Sequence, residues 1–166
     1  LACRSLLSGE ADAAIAGGVN LNLFPGGAAA IARLGVLSPD GRCHTFDSRA
    51  NGFVRGEGAG LVLLKTLDRA IADGDPVHAV IRGSAVASDG ASPTLTAPTA
   101  AGQSDAIRRA CRRAGIEPAE VQYVELHGTG TPAGDPVEAA ALGAALGYGR
   151  EPDGRLAVGA GKTNIG

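Results

Sequence analysis

Methionine and tryptophan are absent from the chain, and aromatic residues make up only 3% of it. An interior of stacked aromatic rings is thereby excluded, so any core must be built from Ala, Val, Leu and Ile. Without methionine the chain also has no natural start, and the expectation is that both ends are cut from something longer. A strong excess of either charge is lacking as well. The formal net charge is −2, and no Lys/Arg cluster provides the basic footprint of a nucleic-acid binder. Long hydrophobic runs are missing: none approaches the roughly 20 residues that cross a bilayer, and no secretory signal opens the sequence. Cysteine is sparse. Cys3, Cys43 and Cys111 are odd in number and form no C-x-x-C pair, which argues against a disulfide framework or a zinc knuckle. The expectation is reduced thiols in a cytoplasmic protein that uses no metal.

What is present is a globular composition. Apolar residues are 45% and charged residues 19% of the 166 positions, which fits one domain or a large part of one. The 26 glycines imply many close backbone approaches.

Along the chain, Leu1-Ala2-Cys3-Arg4-Ser5-Leu6-Leu7 reads as the last turns of an amphipathic helix. Residues 11–19 form a short apolar run closed by Gly17-Gly18, which predicts a buried strand. A small-residue helix is expected over 26–34, and Ser38-Pro39-Asp40-Gly41 signals a turn. Residues 58–67 predict a second strand that runs into a helical stretch at 68–73. Gly74-Asp75-Pro76 breaks that stretch, and the alternation over 77–86 predicts a third strand. From Ser104, the residues Ala106, Ile107, Ala110, Cys111 and Ala114 share one helical face, with Gly115 as the C-cap. Arg108, Arg109, Arg112 and Arg113 occupy the other face, which is read as solvated; docking an acidic carrier is its other use. Residues 121–126 predict a strand. Asp135-Pro136-Val137-Glu138 then reads as a helix start, with Asp135 as N-cap and Glu138 closing a capping box. A last short strand is expected at 156–158. Strands alternating with helices give the α/β class with a layered sheet.

Two loops at predicted strand ends carry candidate chemistry, where α/β proteins place it. The first is His127-Gly128-Thr129-Gly130-Thr131. An imidazole there can donate a hydrogen bond to a developing oxyanion. The glycines admit a ligand close to the backbone, and Thr129 and Thr131 supply hydroxyls. In the second, Gly161-Lys162-Thr163, the lysine can face a carbonyl or carboxylate. That triplet also resembles the end of a phosphate-binding P-loop, but Leu156 stands where the motif needs glycine. Gly56-Glu57-Gly58-Ala59-Gly60 leads into a strand and is therefore no dinucleotide fingerprint. Cys43-His44 with Asp47 is read as a turn that happens to carry a thiol.

An ordered set of blocks resembles the ketosynthase domains of modular or iterative type I polyketide synthases. The set opens with Ala16-Gly17-Gly18-Val19-Asn20, Gly41-Arg42-Cys43-His44-Thr45-Phe46-Asp47 and Gly52-Phe53-Val54-Arg55-Gly56-Glu57-Gly58-Ala59-Gly60. It continues through Asp89-Gly90-Ala91-Ser92, Leu95-Thr96-Ala97-Pro98 and the His127–Thr131 run. It ends with Gly134-Asp135-Pro136-Val137-Glu138-Ala139 and Lys162-Thr163-Asn164-Ile165-Gly166. Two stretches depart from the family's pattern: Ala160-Gly161 replaces Ser-Val, and Ser92-Pro93-Thr94 replaces an Asn-Gly-containing loop. The first departure adds backbone freedom beside Lys162.

The resemblance implies a thiolase-like fold, an α-β-α-β-α sandwich of two related halves, present here in part. Residues up to about 75 would end the first half, and residues from about 76 to 166 would belong to the second. It implies β-ketoacyl synthase activity: decarboxylative Claisen condensation of a cysteine-bound acyl chain with malonyl- or methylmalonyl-acyl carrier protein. By motif position His127 matches the first catalytic histidine and Lys162 the lysine, and Thr129 and Thr131 would contact the pantetheine arm. The nucleophilic cysteine would precede Leu1 and the second histidine would follow Gly166, so this piece alone would be inactive. The implied partners are acyl carrier protein, a second copy in a homodimer and the neighbouring synthase domains; no cofactor beyond the carrier's phosphopantetheine is implied. Another reading is a non-elongating ketosynthase or a chain-length partner subunit; His127 argues against it. A P-loop nucleotide-binding protein is the remote alternative.

Overall fold

The computed structural model describes residues 1–92, 94, 97–150 and 154–166. Pro93, Leu95 and Thr96, which fall in two of the sequence blocks above, lie outside the described residues. The chain divides into two compact units, one made of residues 1–23 and 56–81, the other of 24–55 and 82–166.

In the first unit, helix α1 (Ala2–Leu7) precedes strand β1 (Ala14–Asn20). β1 pairs antiparallel with β2 (Gly58–Leu64) in a register that sets Ala14 opposite Leu64 and Asn20 opposite Gly58. Gly17 is required in this pairing, because a Cβ there would lie 2.1 Å from the Gly60 carbonyl oxygen. Helix α3 (Leu67–Ala72) follows and stops at Gly74, whose φ of +71° suits only glycine. Lys65 pairs with the two carboxylates that flank that stop, Asp73 at 2.9 Å and Asp75. The strand predicted for 11–19 therefore forms, but it is not buried: Ile15, Val19, Leu61 and Leu63 are all exposed. An apolar run identifies a surface that avoids water, and no described element of this unit covers it.

The second unit contains α2 (Pro25–Ala32), α4 (Ala100–Ala114), a 3-10 turn (Pro118–Glu120), β3 (Tyr123–Glu125), α5 (Gly134–Leu146), β4 (Ala157–Gly159) and α6 (Lys162–Ile165). α4 begins four residues before the apolar stripe predicted it, because the Thr99 hydroxyl caps the helix by accepting from the Gly102 N–H at 3.2 Å. It ends, as its sequence requires, at Gly115 in the left-handed conformation. α4 and α5 pack on the parallel β3–β4 pair around Cys111, Leu126, Leu142, Ala145 and Leu146. Burying each such leucine is worth roughly 1.5–3 kcal/mol, which makes this cluster the anchor for the strand ends.

The strand predicted over 77–86 does not form. Alternation is not enough without a ladder partner, and no described residue supplies one. Instead α4 takes up carbonyls near the end of the segment. Arg113 donates to the Ser84 carbonyl at 2.8 Å and Arg109 to that of Val86 at 3.4 Å. Gly83 lies so close to α4 that a Cβ would sit 2.5 Å from the Ala114 nitrogen. Arg108 donates to the Ala144 carbonyl in the last turn of α5 at 2.6 Å. All four arginines of this face are exposed to solvent, as expected, and three of them also reach backbone carbonyls. No helix among the described residues is long and apolar enough to cross a membrane.

Candidate active site

The parallel pairing of β3 and β4 brings the two candidate loops to one edge. Glu125 lies opposite Gly159, and the pairing is extended by the Leu126 N–H donating to the Gly159 carbonyl at 2.8 Å. The chain leaves that edge twice: from β3 into the His127–Thr131 loop, and from β4 through Ala160-Gly161 into α6, whose first residue is Lys162. His127 and Lys162 therefore rise from neighbouring strand ends.

The loop's path depends on glycine. Gly128 and Gly130 have φ of +50° and +63°. A Cβ at Gly128 would meet Thr45 Cγ2 at 2.6 Å and Ala160 Cβ at 2.9 Å. Both the backbone angle and the space exclude a side chain there.

Two carboxylates of α5 hold this loop. Glu138 accepts from the His127 N–H at 2.7 Å and from the Gly128 N–H at 2.9 Å. Asp135, 5% exposed, accepts from the Gly130 N–H at 3.0 Å and from the Phe46 N–H at 2.7 Å. A buried carboxylate is tolerable here because two backbone donors and the first turn of α5 face it. The predicted capping box is accordingly corrected. α5 starts at Gly134 with Ala133 at the N-cap, and Asp135 and Glu138 bond outside their own helix. The helix entrance is served by Thr131, whose hydroxyl accepts from the Gly134 N–H at 3.1 Å and lies 3.2 Å from that of Thr129.

The carbonyl side of the loop is held by the segment read as a mere turn. Thr45 donates to the Gly128 carbonyl at 2.5 Å, Cys43 Sγ lies 3.4 Å from the same oxygen, and the Gly52 N–H donates to the Gly130 carbonyl at 2.8 Å. Cys43 is buried and free. Phe46, at φ +56°, is the one described non-glycine residue in the left-handed region, and Asp135 pins its N–H. Phe46, Thr131, Pro132, Asp135, Pro136 and Ala139 line an open cleft of about 410 Å³ beside the loop.

On the other strand end, Glu125 accepts from the Gly161 N–H at 2.5 Å and from the Tyr123 hydroxyl at 2.6 Å. The Tyr123 hydrogen bond, then the Gly161 N–H and the charge of Lys162, hold the Glu125 carboxyl below the ordinary glutamate range. The same contact pushes the Tyr123 phenol up. The freedom expected at Ala160-Gly161 is therefore restrained by Glu125. The Gly161 N–H, which a phosphate would need in a P-loop, is already taken by a carboxylate. Thr163 donates to the Thr45 hydroxyl at 3.4 Å. His127 is exposed, and no described residue hydrogen-bonds its ring. Among the described residues no group of three or more His, Cys, Asp or Glu side chains could hold a metal ion.

Residues 1–70 match the model of the beta-ketoacyl synthase N-terminal domain and residues 78–166 that of the C-terminal domain. The chain belongs to the β-ketoacyl synthase family. Over its whole length it is 64% identical to the polyketide synthase GfsA of Streptomyces halstedii, of which it spans 2%. It is 50% identical, again over its whole length, to the highly reducing polyketide synthase 40 of Fusarium mangiferae, of which it spans 7%. Among solved structures it is similar to the ketosynthase from module 6 of the bacillaene synthase of Bacillus subtilis 168. The TM-score is 0.92 at 42% identity, over 98% of this chain and 29% of that one. An oxazolomycin ketosynthase domain from Streptomyces albus JA3453 gives a TM-score of 0.92 at 43% identity, over 98% and 28%. The fold is the thiolase-like α/β fold of the ketosynthase domains.

Proposed function

We propose that this chain forms the histidine- and lysine-bearing part of a condensing enzyme of polyketide synthesis. The observation that carries the reading is the His127 loop: its backbone is held on both sides while its imidazole remains open to a ligand. Donors fixed before the reaction stabilise developing charge without reorganising, which is the requirement of an oxyanion site.

The reaction is a decarboxylative Claisen condensation. An acyl group rests as a thioester on a cysteine that, by the family's pattern, would precede Leu1 in the full-length protein. A malonyl or methylmalonyl thioester, carried on the phosphopantetheine of acyl carrier protein, enters beside the His127 loop. Its bond from the α-carbon to the carboxylate breaks, CO2 leaves, and the electron pair moves onto the thioester oxygen. His127 donates a hydrogen bond to that oxygen. The enolate carbon then attacks the acyl carbonyl, forms the new carbon–carbon bond and expels the cysteine thiolate. The electron pair stays within the substrates throughout, so the step needs no oxidant or reductant. Lys162, on the adjoining strand end, contributes positive charge facing the malonyl carboxylate or thioester. Thr131, which lines the cleft, and Thr129, whose hydroxyl lies beside that of Thr131, contact the pantetheine arm.

On this reading, residues up to about 75 end the first thiolase-like half and residues from about 76 to 166 belong to the second. The complete domain pairs with a second copy, works beside neighbouring synthase domains and resides in the cytoplasm.

The test uses the full-length protein carrying His127→Ala. Elongation is expected to vanish while acylation of the cysteine, read by intact mass, persists, because His127 acts after loading. Undiminished elongation by the variant would remove His127 from the site.

A further inference from the structure

The geometry points to Thr45 as a positioning residue that couples the His127 loop to the Lys162 helix, an assignment that rests on the condensing-enzyme reading. Thr45 sits 83 positions before Gly128 in sequence and belongs to neither loop, yet its side chain touches both. Its hydroxyl donates to the Gly128 carbonyl at 2.5 Å and accepts from the Thr163 hydroxyl at 3.4 Å. Its Cγ2 methyl fills the space where a Cβ on Gly128 would stand.

A threonine hydroxyl has one proton to give. Given to Gly128, it leaves the Thr45 lone pairs to accept from Thr163, so the chain Thr163 to Thr45 to Gly128 has one direction. Gly128 directly follows His127, and Thr163 directly follows Lys162. The two groups proposed to face the malonyl thioester are thereby held one residue away from a shared hydroxyl. Glu138 fixes the amide side of the His127–Gly128 stretch, and Thr45 fixes its carbonyl side. Gly128 is buried, so water cannot readily replace the lost donor. Cys43 Sγ approaches the same carbonyl at 3.4 Å, but a thiol is a weak donor.

The hydroxyl and the methyl have separable roles. Thr45→Val keeps the shape and removes the proton donor; Thr45→Ser keeps the donor and removes the methyl. Both are made in the full-length protein, with His127→Ala measured in parallel. Three quantities are read: acylation of the cysteine, and the kcat and KM for CO2 release from malonyl-acyl carrier protein. Thr45→Val should lower kcat for CO2 release roughly tenfold, with KM and cysteine acylation unchanged, and Thr45→Ser should restore kcat. The assignment is overturned if Thr45→Val releases CO2 at the parental rate. It is equally overturned if acylation and CO2 release fall together and serine does not rescue them, since Thr45 is then only structural. If His127→Ala is inactive while Thr45→Val matches the parent, this assignment alone fails. If His127→Ala still releases CO2 at the parental rate, the reading on which it rests has failed.

Discussion

Replacing Glu138 by glutamine probes how the imidazole is held without touching the imidazole. The carboxylate receives two backbone donors, His127 N–H at 2.7 Å and Gly128 N–H at 2.9 Å. A carboxamide can accept only one of them and turns its NH2 towards the other. A hydrogen bond to a charged acceptor contributes about 1.5–3 kcal/mol. His127 is exposed and Glu138 half-buried, so the low end applies when the amide keeps Gly128 and leaves His127 to water. The loss is then about 1.5 kcal/mol, near a tenfold drop in the held loop, since each 1.4 kcal/mol is a factor of ten. In the opposite orientation the buried Gly128 N–H meets a donor. The cost then approaches about 3 kcal/mol, on the order of a hundredfold. CO2 release from malonyl-acyl carrier protein by the full-length Glu138→Gln protein should therefore fall roughly 10- to 100-fold, with cysteine acylation retained. Thermal unfolding measured alongside separates this from a global loss of structure. A rate within about twofold of the parent, which corresponds to less than ~0.5 kcal/mol, would refute the claim that these two bonds hold the His127 loop.

Gly128→Ala should lower the melting temperature, because a left-handed L-residue costs about 1–2 kcal/mol and its methyl would collide with Thr45 and Ala160; an unchanged melting temperature would count against the loop geometry. The Glu125 carboxyl is lowered by its folded contacts, so its hold on the Gly161 N–H is fully present above the unfolded glutamate pKa and is lost only as pH falls through the lower folded value. Hydrogen exchange at Gly161, corrected for intrinsic rate, should thus stay slow through the ordinary glutamate range, and in Glu125→Gln it should lose its acid step. Release of protection at or above that range in the parent would contradict the assigned contacts.

What the sequence made legible was local. The left-handed stop at Gly115, the apolar stripe of α4 and the strand β2 behind its glycines each depend on neighbours within a few positions. The His127 and Lys162 loops were legible for the same reason, as glycine-bearing turns at strand ends. The supports of those loops were not. Asp135 and Glu138 are spaced like a capping box, the local rule for a helix start. In the fold, the orphan amides of Phe46, His127, Gly128 and Gly130 are the donors they serve. A signal was present: a spacing of three places both carboxylates on one helix face near the start of α5, eight and eleven residues after the histidine. Thr45 offered no signal, since nothing in a threonine beside a buried cysteine reports a partner 83 positions away.

The strand predicted over 77–86 and the burial predicted for 11–19 fail for one common reason. Alternation and apolarity are properties of a segment, whereas pairing and burial are properties of a segment together with what lies against it. The arginines of α4 show the physical alternative. With no described ladder partner for the carbonyls of Ser84 and Val86, guanidinium groups reach them from the side, and charges on a solvated face also serve as backbone ligands. Backbone polar groups need partners whatever their source. The residues free to supply them, carboxylates for amides and guanidiniums for carbonyls, are the ones that a patterning rule assigns to the surface. Around His127 the same exchange operates. Because Glu138, Asp135, Thr45 and Gly52 satisfy the loop's amides and carbonyls, the imidazole is not drawn into holding its own loop and can face a ligand.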